Sequence, residues 1–206
     1  MAPTFNQGPR RINKATLNAV PLHFNREDQL KKSEIRKNYL QIRDNISPTA
    51  EDGQNLRNNF LKHTNNPTNI IVGTYQPHKS EIDVSYLNKA LYYSGCKLAL
   101  PRIDGDKINF HEWSINTKLI SNKFGIEEPN PECAILKPDI IIVPLVAFNL
   151  HKFRIGYGGG FYDKYLAQFT GEKIGVAYNA QYTEHEFQQE HDIKLDLIVT
   201  ENRIHF

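Results

Sequence analysis

A chain of 206 residues, 39% hydrophobic and 23% charged, can bury one substantial core, and one soluble domain is the expectation. No stretch approaches the roughly 20 apolar residues a membrane helix needs, so no membrane partner is expected. The formal charge is +2, but residues 1–26 hold Arg10, Arg11, Lys14 and Arg26 without one acid. The remainder therefore carries a formal −2 and offers no broad basic footprint for nucleic acid.

Residues 1–26 also contain Pro3, Pro9 and Pro21 and no sustained periodicity, which reads as a flexible tail preceding one domain over 27–206. An organelle-targeting leader is the alternative, although the segment has no serine and poor helical character. From Asp28 to Ile46 a helix is predicted, with Leu30, Ile35, Tyr39, Leu40, Ile42 and Ile46 near one face. Lys31, Lys32, Arg36, Lys37 and Arg43 are interleaved, and Ser47-Pro48 ends the pattern. Lys32 and Arg36 are four apart and point the same way. They form either a solvated basic face or a grip on a shared anion.

A second helix is predicted over Ala50–His63, with Leu56, Phe60 and Leu61 inward and Asn65-Asn66-Pro67 as its stop. Ile70–Gly73 reads as a buried strand. It leads into the loop Tyr75–Glu81 and a helix near Ile82–Ser94, with Ser80 or Asp83 as its cap. Glu81 is then either a favourable charge at the helix start or a ligand group. Strands follow at Lys97–Pro101 and Lys107–Phe110, around the turn Asp104-Gly105-Asp106. Trp113, the only tryptophan, either packs or stacks on a flat ring. Leu119–Phe124 is a short element and Gly125–Pro131 an extended loop.

Asp139–Val143 is a strand, and beyond it a helix is predicted to run to about Phe169. Later strands are Lys173–Ala177 and Leu195–Thr200. Helices alternating with short aliphatic strands predict a layered α/β fold. The two cysteines, Cys96 and Cys133, follow no metal spacing and fit buried thiols in a reducing compartment.

Between the 139–143 strand and its helix lies Arg154-Ile155-Gly156-Tyr157-Gly158-Gly159-Gly160-Phe161-Tyr162-Asp163. Four glycines in five residues admit a phosphate to the main chain, or else make a tight surface turn. The spacing is neither a Walker A loop nor the dinucleotide fingerprint. Around one phosphate chain the glycine loop, Arg154 and the Lys32/Arg36 pair can gather. Asp163 is placed for magnesium, with Asp192 as a candidate second acid. Tyr157, Phe161, Tyr162, Phe110 and Trp113 offer aromatic surface or core packing. No nucleophile stands out: there is no nucleophile-elbow motif, and the cysteines lack a base. Catalysis by positioning and charge stabilisation is therefore favoured.

The run Pro144-Leu145-Val146-Ala147-Phe148-Asn149 through Asp163 resembles the signature of the 5-formyltetrahydrofolate cyclo-ligase family. Further matches are Lys32-x-x-x-Arg36, Tyr75 with Ser80-Glu81-Ile82, Leu100-Pro101, Phe110, Gly125–Pro129, Gln181, and His191-Asp192 with Asp196. The resemblance covers roughly residues 28–200. It implies a Rossmann-like fold (NagB/RpiA/CoA transferase-like), with a mostly parallel sheet and helices on both faces. It also implies a monomeric, cytoplasmic enzyme that uses ATP and Mg2+ to convert 5-formyltetrahydrofolate to 5,10-methenyltetrahydrofolate. ADP and phosphate would be released by way of a phosphorylated formyl group.

On the same resemblance Lys32 and Arg36 hold ATP phosphates, and Arg154, Ile155, Gly156, Tyr157, Gly158, Gly159, Gly160, Phe161 and Tyr162 wrap the nucleotide. Arg154, Lys32 and Tyr157 take the catalytic roles, and Asp163 and Asp192 bind magnesium. Glu81 contacts the pterin, Tyr75 is a further substrate-binding residue, Tyr157 to Phe161 lie along the folate, and Trp113 stacks on the pterin. The chain departs from the family at Leu145, Asn149 and Lys152, where Gly, Asp and Gly are usual. Lys152 matters most if its backbone needs a positive φ. A related enzyme acting on another small molecule, or a non-catalytic nucleotide-binding protein, are the alternatives.

Overall fold

The computed structural model describes residues 31–122 and 125–206; the expected tail and the start of the first helix lie outside them. In chain order the elements are α1 (Lys32–Asp44), α2 (Ala50–His63), β1 (Ile71–Gly73), α3 (Ser85–Tyr93), β2 (Lys97–Asp104) and β3 (Lys107–Trp113). Next come β4 (Ile120–Ser121), β5 (Glu127–Glu128), β6 (Ile140–Pro144), β7 (Ala147–Phe148), β8 (Arg154–Ile155) and α4 (Phe161–Leu166). β9 (Glu172–Val176), a 3-10 turn at Asn179–Gln181, β10 (Leu197–Val199) and β11 (Ile204–His205) complete the set.

The aliphatic runs become the middle of one seven-stranded sheet, ordered β11-β10-β9-β6-β1-β2-β3. The five inner strands are parallel, and β3 and β11 close the edges antiparallel. Such strands are covered on both faces, which is why Ile140–Val143 has no polar alternation. Ile140 and Ile142 face Leu56 and Phe60 of α2 and Leu87 and Leu91 of α3. Ile141 and Val143 face the other way, toward Leu166, Tyr162 and Tyr165 of α4. Helices thus lie on both faces of a mostly parallel sheet. Among the described residues no helix is long and apolar enough to cross a membrane.

Parallel β1 and β6 are neighbours, although β2 intervenes in sequence. The chain leaves β1 on one side and β6 on the other, so their following loops part and open a crevice. The loop after β1 carries Tyr75 to Glu81. The chain after β6 forms the β7–β8 hairpin and runs directly into the glycine loop. α1 packs on that hairpin, burying Ile35 against Ala147, Ile155 and Phe187, with Tyr39 and Phe153 at the margin.

Several boundaries differ from the sequence expectation. α4 stops at Leu166, because Gln168 and Phe169 bond back three residues to Tyr165 and Leu166 and tighten the chain out of the helix. α3 starts at Ser85, since Ile82 and Val84 are buried in the approach to it. Asp83 accepts from the Ser85 N–H (2.7 Å), while Ser80 bonds elsewhere and caps nothing. β3 reaches Trp113 through its pairing with the full length of β2. Along α1 the expected inner face is also turned: Ile42 is 41% exposed and Arg43 only 1%. Ile35, Tyr39 and Arg43 are spaced four apart, so the buried stripe runs through the arginine.

Candidate functional site

α1 delivers its cations to the glycine loop because Ile35 is anchored on the hairpin that leads there. Arg36 Nε donates to the carbonyl of Gly156 (2.7 Å). A methyl group added at Gly158 would sit 3.5 Å from the Arg36 Cζ. Gly158 and Gly160 have φ of +101° and +68°, a region where side chains are strained. Among the described residues nothing lies within 4 Å of where side chains at Gly156 and Gly160 would project. Gly159 is small for another reason: the Phe161 ring fills the space beside it (2.9 Å). Ile155 turns its side chain into the core, so only its backbone is available to the loop.

The remaining charges are arranged as two pairs. Lys32 Nζ meets Asp192 Oδ1 at 2.6 Å, and Asp192 also accepts from the Gln189 N–H (2.7 Å). Buried Arg154 donates from Nη2 to Asp163 Oδ1 (2.8 Å) and from Nη1 to the Ile193 carbonyl (2.9 Å). Each acid expected to bind magnesium is thus held by a cation expected to meet phosphate. Among the described residues no group of three or more His, Cys, Asp or Glu side chains gathers at one point. A magnesium ion here would rest on few carboxylates, with water and phosphate oxygens completing its shell, as suits that cation.

Facing the glycine loop is the loop after β1. Burial pushes the Glu81 carboxyl up to about 7, against the opposing pull of the His78 N–H (2.9 Å) and the Arg43 charge. Tyr75 and Tyr162 are buried enough that both phenols are raised, and the nearby Glu81 raises them further. Tyr75 donates to the Ile82 carbonyl (3.1 Å), whereas the enclosed Tyr162 hydroxyl has no hydrogen-bond partner among the described residues. A buried hydroxyl without a partner is costly, which makes this atom a candidate for contact with a ligand. A cavity of about 270 Å3 opens beside the loop, lined by Gln76, Pro77, His78, Leu119, Ile126 and Glu127.

Open space at Gly156 and Gly160, with Arg36 bonded to the loop and Lys32 and Arg154 each paired to an acid, fits a polyphosphate with its metal. The 5-formyltetrahydrofolate cyclo-ligase family model matches residues 28–201, which includes every one of these groups.

The chain belongs to the 5-formyltetrahydrofolate cyclo-ligase family.

Relatives agree over most of its length. A 5-formyltetrahydrofolate cyclo-ligase of Mycoplasma pneumoniae is 30% identical over 179 residues, 82% of this chain and 98% of the relative. That of Escherichia coli strain K12 is 29% identical over 143 residues, 65% of this chain and 79% of the relative. The NMR structure of the Aquifex aeolicus 5,10-methenyltetrahydrofolate synthetase superposes with a TM-score of 0.71 at 32% identity. That match covers 84% of this chain and 91% of the other. The Mycoplasma pneumoniae 5,10-methenyltetrahydrofolate synthetase structure gives 0.68 at 26% identity, covering 84% and 99%.

In this cyclo-ligase the three departures have physical consequences. Lys152 does adopt a positive φ, +65°, in the turn between β7 and β8, where its N–H bonds to the Asn149 carbonyl (3.0 Å). Asn149 serves the turn as an aspartate would, with Oδ1 accepting from the His151 and Phe153 N–H groups (both 3.1 Å). Its amide adds a donor to Gln188 Oε1 (2.9 Å) that a carboxylate would lack. Leu145 buries its side chain, and its carbonyl accepts from both Arg43 and Gln181.

Trp113 lies apart from the other expected site residues. It pairs with Leu98 near the start of β2, packs in the core and lines a cavity of about 450 Å3 with Tyr92, Cys96 and Cys133. The residue the sequence reading passed over is Arg43. Its guanidinium donates to Ser80 Oγ (3.1 Å), the Leu145 carbonyl (3.2 Å) and the Tyr157 hydroxyl, and lies 5.3 Å from the centre of the Tyr157 ring. Its spacing of four from Tyr39 and eight from Ile35 was the available signal.

Proposed function

We propose that residues 27–206 form one catalytic domain that converts 5-formyltetrahydrofolate to 5,10-methenyltetrahydrofolate. The reaction uses ATP and Mg2+, passes through a phosphorylated formyl group and releases ADP and phosphate. The observation that carries this reading is the placement of the glycine loop. It is tied to Arg36, flanked by Lys32 and Arg154, and set across the sheet's switch point from Glu81.

ATP, when bound, supplies the phosphoryl group that makes the formyl oxygen a leaving group, and magnesium offsets the charge of its phosphates. Lys32 and Arg36 of α1 would hold phosphate oxygens, together with the amides of Gly156 to Tyr162. Arg154, fixed by the Ile193 carbonyl, steadies negative charge from within the site. Asp163 and Asp192, paired here with Arg154 and Lys32, would be the carboxylates that hold the metal. Glu81, poised near neutrality, exchanges a proton or a hydrogen bond with the pterin ring. Tyr157 and Phe161 border the folate. The folate's own N10 closes the ring, so the protein supplies no covalent nucleophile.

The test is the ATP-dependent appearance of the methenyl chromophore from 5-formyltetrahydrofolate. Arg154→Ala and Asp163→Ala are each expected to fold and to lose at least about 100-fold in turnover, the scale of a lost charge-stabilising group. Chromophore formation without ATP, or near-normal turnover in either variant, removes the corresponding part of the proposal. ATP hydrolysis with no product from this folate would point to another small molecule. Nucleotide binding with no turnover would point to a non-catalytic protein.

A further inference from the structure

Arg43 is the largest fully buried side chain among the described residues, and no ion pair there includes it. A charged group taken out of water with only neutral acceptors is expensive. The three groups it grips belong to three separate segments. Ser80 is on the loop after β1, the Leu145 carbonyl follows β6, and Tyr157 is in the glycine loop. The contacts have a direction. Ser80 gives its own hydrogen to Asp44, so toward Arg43 it can only accept. Ser80 also adjoins Glu81. Tyr157 is 45% exposed, and its other ring contact is an edge-to-face approach to His78 at 6.1 Å.

We propose that Arg43 is a positioning residue for the reaction: it clamps Tyr157 and Ser80 together and so fixes the glycine loop relative to the Glu81 side of the crevice. The inference rests on the proposed function for its consequence in turnover, but the clamp itself is independent of it. A planar fork that donates on three sides while lying against an aromatic ring cannot be replaced by an ammonium.

The test compares Arg43→Lys, Tyr157→Phe and the double variant. Folding is checked by circular dichroism and thermal melting. Tyr157→Phe removes the contact from its exposed side, should the arginine variant fold poorly. Hydrogen exchange should accelerate by about 10-fold or more at residues 154–162 in Arg43→Lys, with the sheet amides unchanged. Turnover should fall about 10- to 100-fold, the cost of misplacing reacting groups, and KM for ATP should rise with it because the loosened loop is the one that meets the nucleotide. The double variant should lose no more than the worse single, because both break one contact.

Unchanged exchange at residues 154–162, or losses that multiply in the double variant, would overturn the clamp. Wild-type kcat in Arg43→Lys beside an active parent would overturn its role in the reaction. If the parent makes no methenyl product but exchange responds as stated, the clamp stands and the proposed function falls.

Discussion

Replacing Glu81 by glutamine separates the cost of this site from its use. In the unfolded chain the carboxyl titrates near its ordinary value of 4.5, and in the folded protein near 7. Each unit of difference corresponds to about 1.4 kcal/mol, so the ionised group costs the fold roughly 3 kcal/mol above pH 7. The sign follows from proton binding. Between 4.5 and 7 the folded state holds the proton and the unfolded state does not, so stability falls as pH rises through that window. Below 4.5 both states are protonated and the cost vanishes. Glutamine keeps an acceptor for the His78 N–H and never ionises. Glu81→Gln should therefore be more stable at pH 8 by up to about 3 kcal/mol, and equal to the parent within about 0.5 kcal/mol at pH 4.

Urea unfolding at pH 8, 6 and 4 reads this difference directly, and at pH 8 the melting temperature should rise by about 5–10 °C. Turnover of the formyl substrate should fall in the same variant. A site held at the expense of stability is the usual bargain at functional positions. A stability difference that does not change with pH, or a variant less stable at pH 8, would refute the argument from burial.

Other substitutions test the backbone. Lys152→Gly should stabilise the protein by about 0.5–1 kcal/mol, because relief of left-handed strain exceeds the extra freedom glycine brings to the unfolded chain; Lys152→Ala should not, and equal gains in thermal melting would disprove strain as the cause. Gly158→Ala places a side chain at φ +101° against the Arg36 guanidinium, so the melting temperature should fall by a few °C and KM for ATP should rise about 10-fold; unchanged ATP affinity would detach this glycine from the nucleotide.

The parallel strands were legible because they are buried on both faces: Ile140 to Val143 has no reason to be anything but aliphatic. α2 was legible in both bounds, since Thr49 takes the Asp52 N–H at one end and the asparagine run stops the other. The two-residue strands β7, β8 and β11 were not, for two residues carry no period. The site divides in the same way. Lys32, Arg36 and Arg154 announce themselves by charge and spacing near glycines. The ion pair between Lys32 and Asp192 joins residues 160 apart in sequence, and no local pattern reports it.

Arg43 shows where such reading stops. A single helix segment assigns an arginine to the wet face and an adjacent isoleucine to the dry one, and by that rule Ile42 belongs inside. The rule assumes that the apolar side of the helix meets an apolar wall. Here the wall beyond Tyr39 is made of loop ends: a serine hydroxyl, a backbone carbonyl and a phenol, each an acceptor for a donor from α1. A hydrophobic side chain in that position would leave the Leu145 carbonyl with Gln181 alone and the Tyr157 hydroxyl without its donor. The arginine is buried because the crevice is polar, and the crevice is polar where β1 and β6 part. An outward-looking cation in the last turn of a helix can thus belong to the site when the helix ends over a switch point.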